Sequence, residues 1–186
     1  PRERSFAALK DVVALVGGQV PINVSLSACF GCPMEGEVPQ AQVLAWADRF
    51  ADLGVRGLTI CDTTGMAHPD QVSRLCEALR ARFPQLQLTL HFHNTRGMGL
   101  ANVLAAVQSG IDRFDGSLGG LGGCPYAQAA TGNLATEDLV YMLDGLGISH
   151  GVDLGALVST SRWLETRLGR PSPSRVVRAR TPSEDA

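Results

Sequence analysis

The chain of 186 residues has no basic stripe: 16 Lys and Arg stand against 18 Asp and Glu, and Lys10 is its single lysine. Without such a patch, nucleic acid and anionic membrane are poor partners. No apolar run approaches the roughly 18 residues of a membrane-spanning helix. The chain is therefore expected to be soluble and cytoplasmic. A disulfide framework is disfavoured as well. The 5 cysteines (Cys29, Cys32, Cys61, Cys76, Cys124) are odd in number and no signal-peptide pattern is present, which favours free thiols in a reducing compartment. Cys29-Phe30-Gly31-Cys32 is formally a CxxC, but without a second pair it is a weak zinc or redox signal. Also missing is a G-x-G-x-x-G between a strand and a helix, which weakens any nucleotide-fold reading.

What is present is enough apolar material, 45% of residues, to fill one core. Four strand-like segments recur, at 22–28, 58–62, 88–93 and 113–118. Between them run 3.6-period apolar stripes: Val43, Trp46, Ala47, Phe50 and Leu53; then Val72, Leu75, Cys76, Leu79 and Phe83; then Leu100, Val103, Leu104 and Val107. Residues 5–16 read as a helix before the first strand, and 136–147 and 154–168 as covering helices after the last. Strand–helix alternation at this spacing predicts βα units on a parallel sheet. Four such units make half of a (β/α)₈ TIM barrel, which usually needs about 250 residues. The expected fold is therefore α/β, the C-terminal half of such a barrel, over residues 1–169. The Pro/Ser/Arg-rich tail, 170–186, is expected to be disordered.

Polar residues gather where the strands finish: Ser27, Asp62, His91, His93, Asp115 and Ser117. Barrel active sites form at that end. His91 and His93 lie two apart, so a strand points both to one face, where they can form one edge of a divalent-metal site. An isolated His-x-His is more often a buried, hydrogen-bonded histidine with a chance neighbour. Cys124 sits among Gly119, Gly120, Gly122 and Gly123, in a loop able to move as a lid and to present a thiol as acid or nucleophile. The bland alternative is a turn with an idle cysteine. Asn133 can offer a carbonyl oxygen to a metal or cap the helix starting near Thr136, and capping is the default. Asp62, ending a strand in Cys-Asp-Thr-Thr-Gly, can orient a base, bind metal or cap a turn.

The stretches SACFGCPMEGEV, ICDTTGMAHP, HFHNTRGMGLANVLAAVQSGI and GGLGGCPYAQAATGNLATEDLVYMLDGLGI resemble the 3-hydroxy-3-methylglutaryl-CoA (HMG-CoA) lyase family of metal-dependent barrels. The resemblance runs almost from end to end. It implies a retro-Claisen cleavage of HMG-CoA to acetyl-CoA and acetoacetate, with His91, His93 and Asn133 ligating Mg²⁺ or Mn²⁺. It further implies that His91 and Cys124 move protons, that Asp62, Gly122 and Gly123 lie at the acyl-CoA substrate, and that the protein forms a homodimer or higher homo-oligomer. Two departures stand out. The family's fourth ligand, an aspartate at the end of the first barrel strand, and the arginine before it have no counterpart in this chain. Asn94 stands where the lyases commonly carry aspartate, as in the condensing relatives. The alternatives are a related enzyme for another 3-hydroxy acyl-CoA, or a catalytically incomplete half-barrel that acts as an assembly or binding module.

Overall fold

The computed structural model describes residues 2–123 and 132–180. The chain runs α1 (Arg2–Val16), β1 (Asn23–Leu26), α2 (Gln40–Asp52), β2 (Gly57–Asp62), α3 (Pro69–Arg82), β3 (Gln87–Phe92), α4 (Gly99–Gln108) and β4 (Phe114–Asp115). A 3₁₀ turn (Leu118–Gly120) and helices α5 (Thr136–Gly145), α6 (Leu154–Leu168) and α7 (Arg175–Ala179) follow. The four strands are parallel and lie in chain order, β1-β2-β3-β4. A doubly wound sheet reverses its order at a switch point, and this one does not. Successive right-handed crossovers then place α2, α3 and α4 on one side of the sheet, as in a barrel wall.

The register divides the sheet into two unlike faces. Val24, Leu58 and Leu88 share one row, and Leu26, Ile60, Leu90 and Phe114 share the next on the same side. This face packs on Val43, Ala47 and Phe50 of α2, Val72, Leu75 and Leu79 of α3, and Val103 and Ala106 of α4. Each fully buried aliphatic side chain contributes about 1.5–3 kcal/mol, so this layer is the main stabilising element. The opposite face is polar: Ser25, Thr59 and Thr89 form one row, and Cys61, His91 and Asp115 the next. The Asn23 amide donates to Thr59 Oγ1 at 2.7 Å along it. All-parallel sheets normally have both faces covered. Here α2 to α4 clothe one, and Ser25 on the other stays exposed.

Three expectations are corrected at their ends. The first strand stops at Leu26 rather than Ala28, because Ala28 adopts φ +57° and turns its amide to Thr63 Oγ1 at 2.9 Å. The last strand covers two residues rather than 113–118. Beyond it Ser117 pairs with the returning chain, its amide donating to Leu134 O at 3.1 Å and its carbonyl accepting from Thr136 N at 3.0 Å. The beginning of the tail is also ordered. Asp138 of α5 accepts from Ser174 Oγ at 2.6 Å and from the amides of Val176 and Arg175 at 2.9 and 3.2 Å, which fastens the start of α7. Composition read that segment as disordered because it counts apolar side chains, whereas α7 docks through polar capping and the buried Val177. Residues 181–186 lie outside the described residues.

Candidate active site

The site is assembled by a short antiparallel stitch at the end of β3. Leu134 N donates to Phe92 O at 3.0 Å and Asn94 N donates to Gly132 O at 3.3 Å, so His93 and Asn133 face each other. On the other side His93 N donates to Asp62 O at 3.3 Å. Three segments far apart in sequence therefore meet at His93. The rings of His91 and His93 lie 5.2 Å apart, inclined at 69°.

His93 is 4% exposed, and its buried Nδ1 has no hydrogen-bond partner. An orphaned buried polar atom costs free energy unless something fills it. Burial, and secondarily the neighbouring His91, lowers the His93 pKa, which favours the neutral ring. A neutral imidazole is the form that ligates metals. His91 is half-buried and its Nδ1 meets the carboxylate of Asp115, its partner in the strand register. Asn133 donates through Nδ2 to Leu121 O at 2.7 Å, which orients the amide. The helix-capping role does not apply to it: α5 begins from Ala135 with no side-chain cap. Two imidazoles and an amide oxygen suit a divalent cation such as Mn²⁺ or Mg²⁺. Among the described residues no three His, Cys, Asp or Glu side chains cluster as a metal site.

Asp62 meets His93 through its backbone carbonyl, while its carboxylate is engaged elsewhere. It pairs in register with Phe92, on the alternate side of the sheet from His91. Both its oxygens are engaged, Oδ1 accepting from Met66 N at 2.9 Å and Oδ2 from Ala67 N at 3.2 Å. Of the three roles open to it, capping the β2–α3 turn is the one these contacts show. Arg96 braces the same turn by donating to Thr64 O and Gly65 O at 2.9 and 3.2 Å.

The glycines after β4 serve close approach as much as motion. A Cβ at Gly122, where φ is +103°, would lie 2.8 Å from Asn133 Nδ2. Gly122 and Gly123 are both exposed. Cys124 follows immediately, and that expectation falls outside the described residues. Glu137 anchors the start of this loop: fully buried, it accepts from Gly119 N with both oxygens, at 2.9 and 3.0 Å. Nothing in the sequence marks Glu137 for this role, and Asp115 stands there only as one of several polar strand-end residues. The sequence places Asp115 near the end of the strand after β3, and the register adds that it stands beside His91.

Three other thiols lie within the folded interior. Cys29, Cys61 and Cys76 are buried, and burial pushes each up to about 12. Cys29 Sγ donates to Leu26 O at 3.0 Å. Such thiols stay protonated and shielded at neutral pH, so they supply no reactive sulfur. Their ordinary pKa is 9.0. The stability that Cys29 and Cys76 confer is thus fully present below pH 9 and is lost as pH rises towards 12. A urea titration repeated across that range is expected to show a loss of about 1 kcal/mol per thiol per pH unit. A flat stability profile would mean that these thiols ionise as readily in the fold as outside it.

Over residues 3–164 the chain matches the family model described as HMGL-like. It is 51% identical over 150 residues to a hydroxymethylglutaryl-CoA lyase of Bacillus subtilis, covering 81% of this chain and 50% of that protein. It is 49% identical over 157 residues to an (R)-citramalyl-CoA lyase of Chloroflexus aurantiacus, covering 84% and 50%. The structure of an HMG-CoA lyase from Acinetobacter baumannii, in complex with coenzyme A and 3-methylmalate, superposes with a TM-score of 0.92 at 43% identity, over 98% of this chain and 60% of that one. The chain spans about half the length of the curated relatives it matches.

Proposed function

The chain belongs to the HMGL-like family, and on that footing we propose that it forms the C-terminal half of a metal-dependent carbon–carbon lyase barrel. The reaction is the retro-Claisen cleavage of HMG-CoA to acetyl-CoA and acetoacetate. The observation that carries this reading is the convergence of His91, His93 and Asn133 at the C-terminal end of β3, beside a glycine loop. His93, Asn133 and His91 hold a divalent cation, Mg²⁺ or Mn²⁺. When bound, the ion acts as a Lewis acid toward the hydroxyl and carboxyl oxygens of the substrate. His91 exchanges the proton of the tertiary hydroxyl. Cys124 delivers a proton to the carbon of the departing thioester enolate. Gly122 and Gly123, lacking side chains, let the acyl-CoA approach the backbone. Asp62 acts by ordering the turn beneath the site.

The polar face and the two outer edges, left unpaired among the described residues, support completion by four further βα units. Those units are where the family's remaining aspartate ligand and arginine stand. In a chain without those units the open edges favour self-association; a homodimer or higher homo-oligomer is the proposed state. No described helix is long and apolar enough to cross a membrane, in keeping with a cytoplasmic site of action.

A second reading concerns the acyl group. The citramalyl-CoA lyase is nearly as similar to this chain as the HMG-CoA lyase, at 49% against 51% identity. Citramalyl-CoA would break by the same chemistry into acetyl-CoA and pyruvate. The deciding experiment offers both thioesters, with and without Mg²⁺, to this chain alone and to the chain preceded by the missing barrel half. Acetoacetate is expected from HMG-CoA in the extended form only. Pyruvate in its place would select the second substrate. Neither product from either form would return the half-barrel to a binding or assembly role.

A further inference from the structure

We propose that Asp115 is the positioning residue of His91: its carboxylate accepts the Nδ1–H of the ring and turns a bare Nε2 toward the ligand site. The part of this inference that concerns a metal rests on the reading above. Its geometry does not. Leu90 pairs with Phe114 and His91 with Asp115, so the backbone register itself sets the two side chains abreast on the polar face. The His91 Nδ1 and the Asp115 carboxylate are in hydrogen-bonding contact. An ionised carboxylate only accepts, so the proton in this contact sits on the imidazole nitrogen, and in the neutral ring that leaves Nε2 as the lone-pair atom. One tautomer is thereby selected from two.

Strand pairing alone does not call for an aspartate here. Aspartate is depleted in strands, and β4 pairs over only two residues, one of which is Asp115. A branched or aromatic residue would serve the pairing better. The side chain is also 49% exposed, so it is not filling the core. A carboxylate that binds the far nitrogen of a ligating histidine is a recurrent way to fix ring orientation and raise ligand basicity. His93 needs no such partner, because burial and its bridge to Asn133 already hold it. His91, half-buried and next to an open face, has no comparable enclosure. The pairing has a further consequence. With Nδ1 committed, ligation and proton transfer fall on one atom, so His91 cannot perform both at the same instant.

The test is nitrogen-15 NMR of the histidine rings in the intact chain, in mildly alkaline buffer without metal, with the His91 signals assigned by their loss in His91→Gln. The expected wild-type spectrum shows a protonated Nδ1 and a bare Nε2. In Asp115→Ala the pattern is expected to move toward a protonated Nε2, while the melting temperature and the His93 signals hold. A protonated Nε2 already in the wild type would overturn the proposal without recourse to any variant. Unchanged His91 signals in Asp115→Ala would also overturn it. Mn²⁺ titration of the extended protein adds the functional reading: Asp115→Ala is expected to weaken binding about 10–100-fold, with partial rescue by Asp115→Glu. If the extended wild type takes up no Mn²⁺, the metal reading fails, and the ring spectrum still decides whether Asp115 positions His91.

Discussion

Replacing Cys124 with alanine is expected to slow cleavage by the completed barrel about 10²–10⁴-fold, the usual contribution of a positioned acid or base. Mn²⁺ affinity should stay unchanged. The expectation rests on the contrast among the thiols. Cys29, Cys61 and Cys76 are buried and pushed up to about 12, so they cannot exchange protons near neutral pH. Cys124 instead follows Gly122 and Gly123, the first of which lies against Asn133. Normal turnover in Cys124→Ala would remove the thiol from the mechanism. Lost turnover together with lost Mn²⁺ binding would make it a structural residue instead.

The second large effect concerns Gly132, and it links the fold to the site. Its φ is +81°, and a Cβ there would lie 2.8 Å from Gly120 O, a backbone atom that cannot swing aside. Its carbonyl also accepts from Asn94 N, within the stitch that sets Asn133 opposite His93. Gly132→Ala is expected to cost about 2–4 kcal/mol, from left-handed strain together with overpacking. That is a large share of the roughly 5–15 kcal/mol by which a domain is stable. Urea denaturation reads the loss, and Mn²⁺ titration of the extended protein should show weaker binding as Asn133 shifts. A variant of unchanged stability and affinity would mean that the loop yields freely, and that the close approach of Gly120, Gly122 and Gly132 does not shape the ligand set.

Asp62 and Asp115 show where legibility ended. Both are strand-end aspartates followed by small residues, and the sequence treats them alike. The structure separates them by parity: Asp115 shares a row with His91, while Asp62 shares one with Phe92 and spends its oxygens on the amides of Met66 and Ala67. A side chain alternates faces at every residue of a strand, so assigning its face requires the register, which is a property of two strands together. The tail failed for a related reason. Ser174 and Val176 gain their order from Asp138, 36 residues earlier in the chain for Ser174.

The sequence by itself determined the elements and their order. Apolar stripes at helical spacing, short apolar runs and glycine stops are local, and local periodicity needs no tertiary knowledge. The same holds for the pairing of His91 and His93 on one face, which follows from a spacing of two, and for the motifs that mark the family. Only the tertiary structure decided which of the polar strand ends meet. The contact of His91 with Asp115, the bridge from His93 to Asn133 and the grip of Glu137 on Gly119 each join segments 18 or more residues apart. Those contacts depend on crossover and register, through which a parallel sheet converts distance along the chain into adjacency at one end.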